Sequence, residues 1–365
     1  IIADMLKQTT NTSWLNIEVL SPIDKYELFQ RPAKLRLPFE DELLDISADR
    51  WAQLDSDRPA IIFHDQVMSY AQFKASSDAA AQELLKCGIM PGSTIAVCCR
   101  RGFGFITAVF AILKAGCAYL PLTDALPVGR INSMLDQACV KYALCDQAGR
   151  QVLESCARAD LTLLDIVDKR SSAISFAPLG ARATSDAAQV LFTSGSSGAP
   201  KGIVIPHRPI ANLAAYLSGI YEQAGAERFL CSSSILFDSY TTDVLVPLAL
   251  GKTVIVADEE EMISPWSLAQ LIEKHHVDLI FSTPSRMKVY LADASFCAAL
   301  ARLKLIMSGG EVMSEQLAEQ LCQACGGAVY NLYGPAETTA FVTAFRLDGK
   351  TKPTIGKAIP NTRVY

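Results

Sequence analysis

The sequence predicts an α/β protein with mostly parallel sheets covered by helices on both faces. Short apolar strand patterns alternate with helical patterns along most of the chain, the order that parallel sheets require. Half of the 365 residues are apolar and 19% are charged, which supplies enough apolar surface for a large core. Three polar, glycine-bearing stretches each follow an apolar strand pattern: LFTSGSSGAPKG (191–202), SGGE after LKLIM, and YGPAETT after VYNL. Ligands of parallel sheets bind beyond the carboxyl ends of strands, so chemistry is expected in these loops.

Residues 1 to 45 are weakly patterned, with Pro22, Pro32 and Pro38, and read as a linker with a short lead-in. The chain begins at Ile1 rather than Met, which points to excision from something longer. Between Tyr70 and Cys87, the residues Tyr70, Phe73, Ala80 and Leu84 fall at helical spacing, with small Ser77 on the same face. Cys87-Gly88 closes that helix, and PGSTIAVCC supplies a turn and a β-branched strand. A helix from Phe105 to Ala115 stops at Gly116, and CAYLPL is the next strand. Ile131 to Cys139 is helical, and Tyr142 to Cys145 is a short strand. Beyond the 191–202 loop come a helix (Pro209 to Ala224), a strand (Phe229 to Ser232), a helix (Thr242 to Gly251) and a buried strand (Thr253 to Ala257). A helix from Ser264 to His275, strands Asp278 to Ser282 and Leu303 to Met307, a helix from Ser314 to Cys325 and a strand from Ala328 to Leu332 complete the alternation.

Composition narrows the function. The net charge is −5 and no basic stripe is visible, which argues against nucleic acid as a partner. The most apolar stretch, Phe103 to Leu122, is interrupted by Gly104, Lys114, Gly116 and Pro121, so no membrane span is expected. Eleven scattered cysteines read as reduced core thiols of a cytoplasmic protein. Cys322 and Cys325 form one C-x-x-C without the second pair that a zinc ribbon needs, and read as small residues on a helix. The four histidines show no metal-ligand spacing, and His275-His276 marks a helix end.

The loops allow sharper readings, each beside a plainer one. In LFTSGSSGAPKG, small residues let backbone N–H groups approach an anion, hydroxyls add donors, and Lys201 adds a positive charge. That is the composition of a phosphate cradle, and also of an ordinary exposed loop. It is not a Walker A loop, since Lys201 follows Pro200 and precedes Gly202. In NLYGPAETT, Tyr333 offers a flat face for a base. Glu337 is a lone carboxylate that suits magnesium, or simply an early acid in a helix turn. SGGE allows close approach of a planar ligand, or makes a tight turn. In FDSYTTD, Asp238 is either a helix cap or an acid in apolar surroundings that needs a cation such as a substrate ammonium.

Taken together, these motifs resemble those of the adenylate-forming superfamily. LFTSGSSGAPKGIVIPH is similar to its characteristic loop. YAQFKASSDAAAQELLKCGIMPGSTIAV, GFITAVFAILKAGCAYLPLTDALPVGRI, FDSYTTD, NLYGPAETT and GKAIPNTRVY favour the adenylation domains of nonribosomal peptide synthetases. The resemblance runs from about Ile46 to Tyr365, and residues 1 to 45 resemble the connector that trails a condensation domain. It implies the large N-terminal core of that fold, layered sheets with a smaller β subdomain. The family's C-terminal subdomain is not matched, so the chain by itself is expected to bind substrates but catalyse weakly. Ser196-Ser197 replaces a common threonine pair, Asp243 stands where glutamate is common, and Leu122-Thr123-Asp124 departs from the usual acidic pattern.

The resemblance also implies roles. Thr193, Ser194, Gly195, Ser196, Ser197 and Lys201 would contact the β- and γ-phosphates of ATP. Gly309, Gly310, Glu311, Asn331, Leu332 and Tyr333 would surround adenine, and Gly334 would also belong to the ATP site. Glu337 would hold Mg2+, and Thr338 would contact the α-phosphate. Asp238 would take the substrate ammonium, within a pocket of Ser239, Thr242, Phe281, Ile306, Ser308, Leu332, Ala340 and Phe341. That pocket carries no second charge, so an uncharged, medium-sized amino acid is expected. The implied activity is formation of an aminoacyl-AMP and its transfer to the phosphopantetheine thiol of a carrier protein, beside an upstream condensation domain. The alternatives are an acyl-CoA synthetase-type ligase, which needs no acid at Asp238, and a non-catalytic docking domain.

Overall fold

The computed structural model describes residues 37–39, 41–166, 182–194 and 200–364. Most of the expected linker therefore lies outside the described residues. The folded body begins before Ile46, because Leu44 and Asp45 are buried in helix α1 (Leu44–Leu54). The hairpin β1 (Pro59–Phe63) and β2 (Gln66–Ser69) follows, then α2 (Tyr70–Lys86), β3 (Thr94–Cys98), α3 (Phe103–Lys114) and β4 (Ala118–Leu122). Next come α4 (Val128–Gln137), β5 (Tyr142–Cys145), α5 (Gln147–Ser155) and β6 (Thr162–Asp165). The hairpin β7 (Ala187–Ser194) and β8 (Pro200–Pro206) leads to α6 (His207–Ala224), β9 (Arg228–Cys231), a π-helical turn (Thr241–Leu245) and α7 (Val246–Ala249). The chain continues through β10 (Thr253–Val256), α8 (Pro265–Lys274), β11 (Leu279–Ser282), α9 (Pro284–Tyr290) and α10 (Ala294–Leu300). It closes with β12 (Leu305–Gly309), α11 (Glu315–Ala324), β13 (Ala328–Tyr333), β14 (Thr343–Leu347) and β15 (Lys357–Ala358).

Local signals explain these boundaries. Ser69 caps α2 in a capping box with Gln72, while Ser264, Thr283 and Ser314 cap α8, α9 and α11 through side-chain oxygens. β10 and β11 are buried along their whole length, as continuous apolar runs in a parallel sheet must be.

The strands form two sheets. Nine run in the order β15-β14-β13-β12-β11-β9-β10-β1-β2 and six in the order β6-β5-β3-β4-β7-β8. Pairing is parallel except at β1/β2, β7/β8, β13/β14 and β14/β15. The largest core joins Val97, Tyr119 and Leu191 of the smaller sheet to Phe281, Leu305 and Met307 of the larger, with α2, α3 and α6 between them. A second core packs α8 to α11 on the larger sheet, and a third packs α4 and α5 on the smaller.

The late antiparallel strands β14 and β15 pair onto β13 and extend the larger sheet, where their backbone groups find partners. Two expectations are corrected. The single helix expected from Thr242 to Gly251 is a π-helical turn followed by α7. The Val246 N–H bonds the Thr241 carbonyl five residues back, and Pro247 has no N–H to continue the usual ladder. The 191–202 stretch is strand at both ends, with Thr193 paired to Lys201, and its glycine-rich tip lies outside the described residues.

Candidate active site

A cavity of about 660 Å3 opens at the carboxyl ends of β9, β11, β12 and β13, against β7 of the other sheet. Its size suits a small molecule. It collects Thr193, Asp238, Ser239, Thr242, Phe281, Gly309, Gly310, Glu311, Leu332, Gly334, Ala340 and Phe341 on one wall system. These residues span nearly 150 positions and meet because the strands that carry them are neighbours in the sheets.

Asp238 sits in the segment between β9 and the π-helical turn, half-buried. The Phe237 N–H bonds the Ser234 carbonyl, and the Thr241 N–H bonds the Asp238 carbonyl at 2.9 Å. Burial pushes its carboxyl up to about 6, against the pull of the Ser239 and Asp238 backbone N–H groups, and the charge of Glu337 adds to the rise. Glu337 therefore lies near enough for Asp238 to feel it, although Glu337 is itself exposed and makes no hydrogen bond or ion pair among the described residues. Thr338 is exposed as well, and its hydroxyl donates to the Pro335 carbonyl at 2.9 Å.

The turn holding these two residues is tightly built. A Cβ on Gly334 would lie 2.4 Å from the Phe341 Cα, so only glycine fits there. Thr339 and Ala340 both adopt left-handed backbone, with φ of 69° and 60°. Such positions cost on the order of 1–3 kcal/mol each and persist where the surroundings enforce them, commonly at functional sites. Gly309 is similarly constrained, since a Cβ would meet the Leu332 carbonyl oxygen at 2.6 Å. The Glu311 carboxylate accepts the Ser285 N–H at 2.9 Å and also the Ser285 hydroxyl, which ties the loop after β12 to the start of α9.

Other expected residues sit elsewhere. Lys201 is exposed on β8 and Tyr333 is half-exposed at the end of β13, both off the cavity wall. Asn331 is buried and donates to the Thr354 carbonyl at 2.8 Å. Ile306 and Ser308 do not line the cavity. Ile306 is fully buried in the second core with Ile280 and Val329, and Ser308 is fully buried too. Strand alternation sends Ile306 away from Phe281 and Leu332, which belong to the core between the sheets. Gly195, Ser196, Ser197 and the side chain of Ser194 lie outside the described residues.

The AMP-binding enzyme family matches residues 48–365. The chain belongs to that family. Among its curated relatives, the PKS-NRPS hybrid synthetase ATPKS of Aspergillus niger is 32% identical over 354 residues, 94% of this chain and 18% of that protein. Bacitracin synthase 3 of Bacillus licheniformis is 30% identical over 100% of this chain and 6% of its own length. The chain thus spans only a small part of these synthetases. Among solved structures, the nonribosomal peptide synthetase FmoA3 superposes with a TM-score of 0.80 at 26% identity, covering 93% of this chain and 36% of that one. The N-terminal subdomain of Klebsiella oxytoca NpsA shares the fold, with a TM-score of 0.76 at 20% identity over 87% of this chain and 81% of that one.

The cavity of this AMP-binding enzyme also carries residues that sequence reading did not find. Arg130, Arg286, Thr283, Ser233, Ser234, Leu236 and Phe237 all line it. Two arginines and Glu311 also share the wall with Asp238, beyond the substrate-pocket positions named from the sequence. Arg286 is committed to structure, donating to the Ser232 and Met262 carbonyls at 3.1 and 3.0 Å. Its place in TPSR, just after a capping threonine and a helix-starting proline, was the one available sequence signal.

His64 lies 2.9 Å from the Asp258 carboxylate with Glu261 nearby, a grouping no spacing rule could reveal across 194 positions. Asp258 and Glu261 each accept a backbone N–H of that same turn. All eleven cysteines are unpaired, Cys322 and Cys325 included, and burial pushes the Cys98 thiol up to about 12. Among the described residues no helix is long and apolar enough to cross a membrane.

Proposed function

We propose that the chain activates an amino acid with ATP as an aminoacyl-AMP, for loading onto a carrier-protein thiol within a nonribosomal peptide synthetase. The observation that carries this reading is Asp238, a half-buried carboxylate without an ion-pair partner among the described residues, on the wall of the cavity that also holds Thr193 and the Gly309–Glu311 turn. An ammonium at Asp238 would fix the amino acid in one orientation. A substrate carboxylate oxygen would then attack the α-phosphorus of ATP. The new O–P bond forms as the bond to pyrophosphate breaks. The chain's part is positioning and charge neutralisation.

Lys201 and Thr193, paired across the β7/β8 hairpin, would meet the outer phosphates, the role that the resemblance implies for them. Glu337 fits a divalent cation, since its exposed carboxylate has no competing partner among the described residues and adjoins the cavity at Ala336. A magnesium ion there would offset phosphate charge. The expected side chain of the substrate is uncharged and medium-sized, between Phe281, Leu332 and Phe341. The carrier and condensation partners are those that the motif resemblance to nonribosomal peptide synthetases implies.

The test is ATP–pyrophosphate exchange with each of the twenty proteinogenic amino acids, run on the synthetase that contains this chain. Exchange with one or a few of them supports the reading, and exchange with none removes it. Glu337→Gln keeps shape and removes charge, so exchange at limiting magnesium should fall by roughly tenfold or more. An unchanged rate there would refute the magnesium assignment.

The pH dependence follows from Asp238. Only its ionised form can hold an ammonium, and burial raises that carboxyl to about 6. Amino-acid affinity should therefore be full above this value and fall by about tenfold for each pH unit below it. Asp238→Asn should flatten the profile, and a profile that stays steep in this variant would assign the titration to another group.

A further inference from the structure

The segment that carries Asp238 is a loop tied shut at its base. Residues 233–243 leave β9, turn through Ser234 and Phe237, present Asp238, and return through the π-helical turn. Asp243 closes the loop, since its Oδ2 accepts the Ser233 N–H at 3.1 Å. Arg101, which follows β3 in the other sheet, grips the backbone of the same residue from the opposite side. Its Nη1 donates to the Ser233 carbonyl at 3.1 Å and its Nη2 to the Cys231 carbonyl at 2.8 Å. Both side chains are buried, Arg101 at 6% exposure and Asp243 at 1%. Arg101 makes no ion pair with a carboxylate among the described residues, and its charge acts on Asp243, whose carboxyl it pulls down against the effect of burial.

A buried arginine and a buried carboxyl, which burial pushes up to about 7, on the two sides of one residue's backbone are an expensive arrangement for a core. Apolar residues would fill this space at lower cost. What the arrangement supplies is placement. Ser233 and Ser234 form the wall beside Asp238, and the Phe237 N–H bonds back to Ser234, so the height of Asp238 in the cavity follows from where Ser233 is held. A shift of about 1 Å in a positioning group can cost roughly 100-fold in rate.

We infer that Arg101 and Asp243 are positioning residues that clamp the backbone of Ser233 on both sides of its Cα and thereby set Asp238 against the substrate ammonium. This rests on the amino-acid-activating reading above. The experiment takes the amino acid that gives the fastest exchange among the twenty and compares its KM with that of ATP. Asp243→Ala should raise the amino-acid KM by about tenfold or more and move the ATP KM by less than about twofold. Asp243→Asn keeps an oxygen that can accept the Ser233 N–H and should recover most of the loss. Arg101→Lys has one ammonium where two carbonyls are gripped, and should resemble Asp243→Ala. In a double-mutant cycle, Asp243→Ala should add less than about twofold on top of Asp238→Ala, because it acts through that residue. Independent effects that multiply, or amino-acid and ATP KM values rising together, would overturn the clamp and leave a general packing role.

A second arm needs no substrate. In hydrogen exchange, amides 234–240 should open at least about tenfold faster in Asp243→Ala and in Arg101→Lys, while β12 stays protected. Unchanged exchange in this loop would overturn the proposal by itself. If no amino acid supports exchange in the wild type, the adenylation reading fails, and this arm still decides whether the clamp holds the loop.

Discussion

Asp238→Ala should weaken amino-acid binding by at least about 100-fold and leave ATP binding within about twofold. Removing one member of a buried, hydrogen-bonded ion pair costs about 3–5 kcal/mol. Asp238 is half-buried, so the lower end applies, and about 3 kcal/mol corresponds to roughly two orders of magnitude. ATP should be spared because Thr193, Lys201 and Gly309 lie on other strands. A desamino analogue of the substrate should bind the wild type poorly and be indifferent to the substitution. Calorimetric titration of both ligands against both proteins gives the four values needed. If the desamino acid binds the wild type as tightly as the amino acid does, Asp238 has no ammonium to hold, and a ligase for simple carboxylic acids replaces the present reading.

Lys114→Met should have the largest effect on stability, about 3 kcal/mol. The side chain of Lys114 is only 2% exposed, and its Nζ lies 2.5 Å from Asp78 and 2.7 Å from Asp49. These contacts join α1, α2 and α3 inside the main core. Methionine keeps the apolar stem and leaves the two carboxylates short of a cation, a change worth about 3–5 kcal/mol when the charges are buried. Lys74 still bridges Asp49 and Asp78, which places the loss at the lower end. Denaturant titration should show a lower midpoint with an unchanged slope. Removing the stranded charge as well, with Asp78→Leu, should recover part of the loss, since a buried ion pair replaced by apolar residues is often neutral. A loss under about 1 kcal/mol for Lys114→Met would mean that solvent reaches the cluster and screens it.

Much of the fold was legible because its signals are local. The buried strands β10 and β11 appear as TVIV and LIFS, and the caps Ser264 and Ser314 stand one residue before their helices. Twelve of the expected site residues line one cavity, because loops after neighbouring parallel strands must converge at the same sheet edge. The hairpin β1/β2, helices α5, α9 and α10, and strands β6, β14 and β15 were not read, being short and weakly periodic.

The sequence by itself determined the alternation of strands and helices, the loops that carry chemistry, and the acid at Asp238. Apolar period, turn residues and capping residues report backbone and burial energies within a few neighbouring positions, and these act before the chain is folded. Tertiary structure alone decided which face Ile306 takes, because a strand buried on both sides has apolar residues at every position and alternation cannot choose between two cores. It alone brought Arg101 to the Ser233 carbonyl across 132 positions and folded Asp243 back onto the N–H of that same residue. Such contacts depend on strand order and on closing long loops around a common core, so they arise only when distant segments are already packed together.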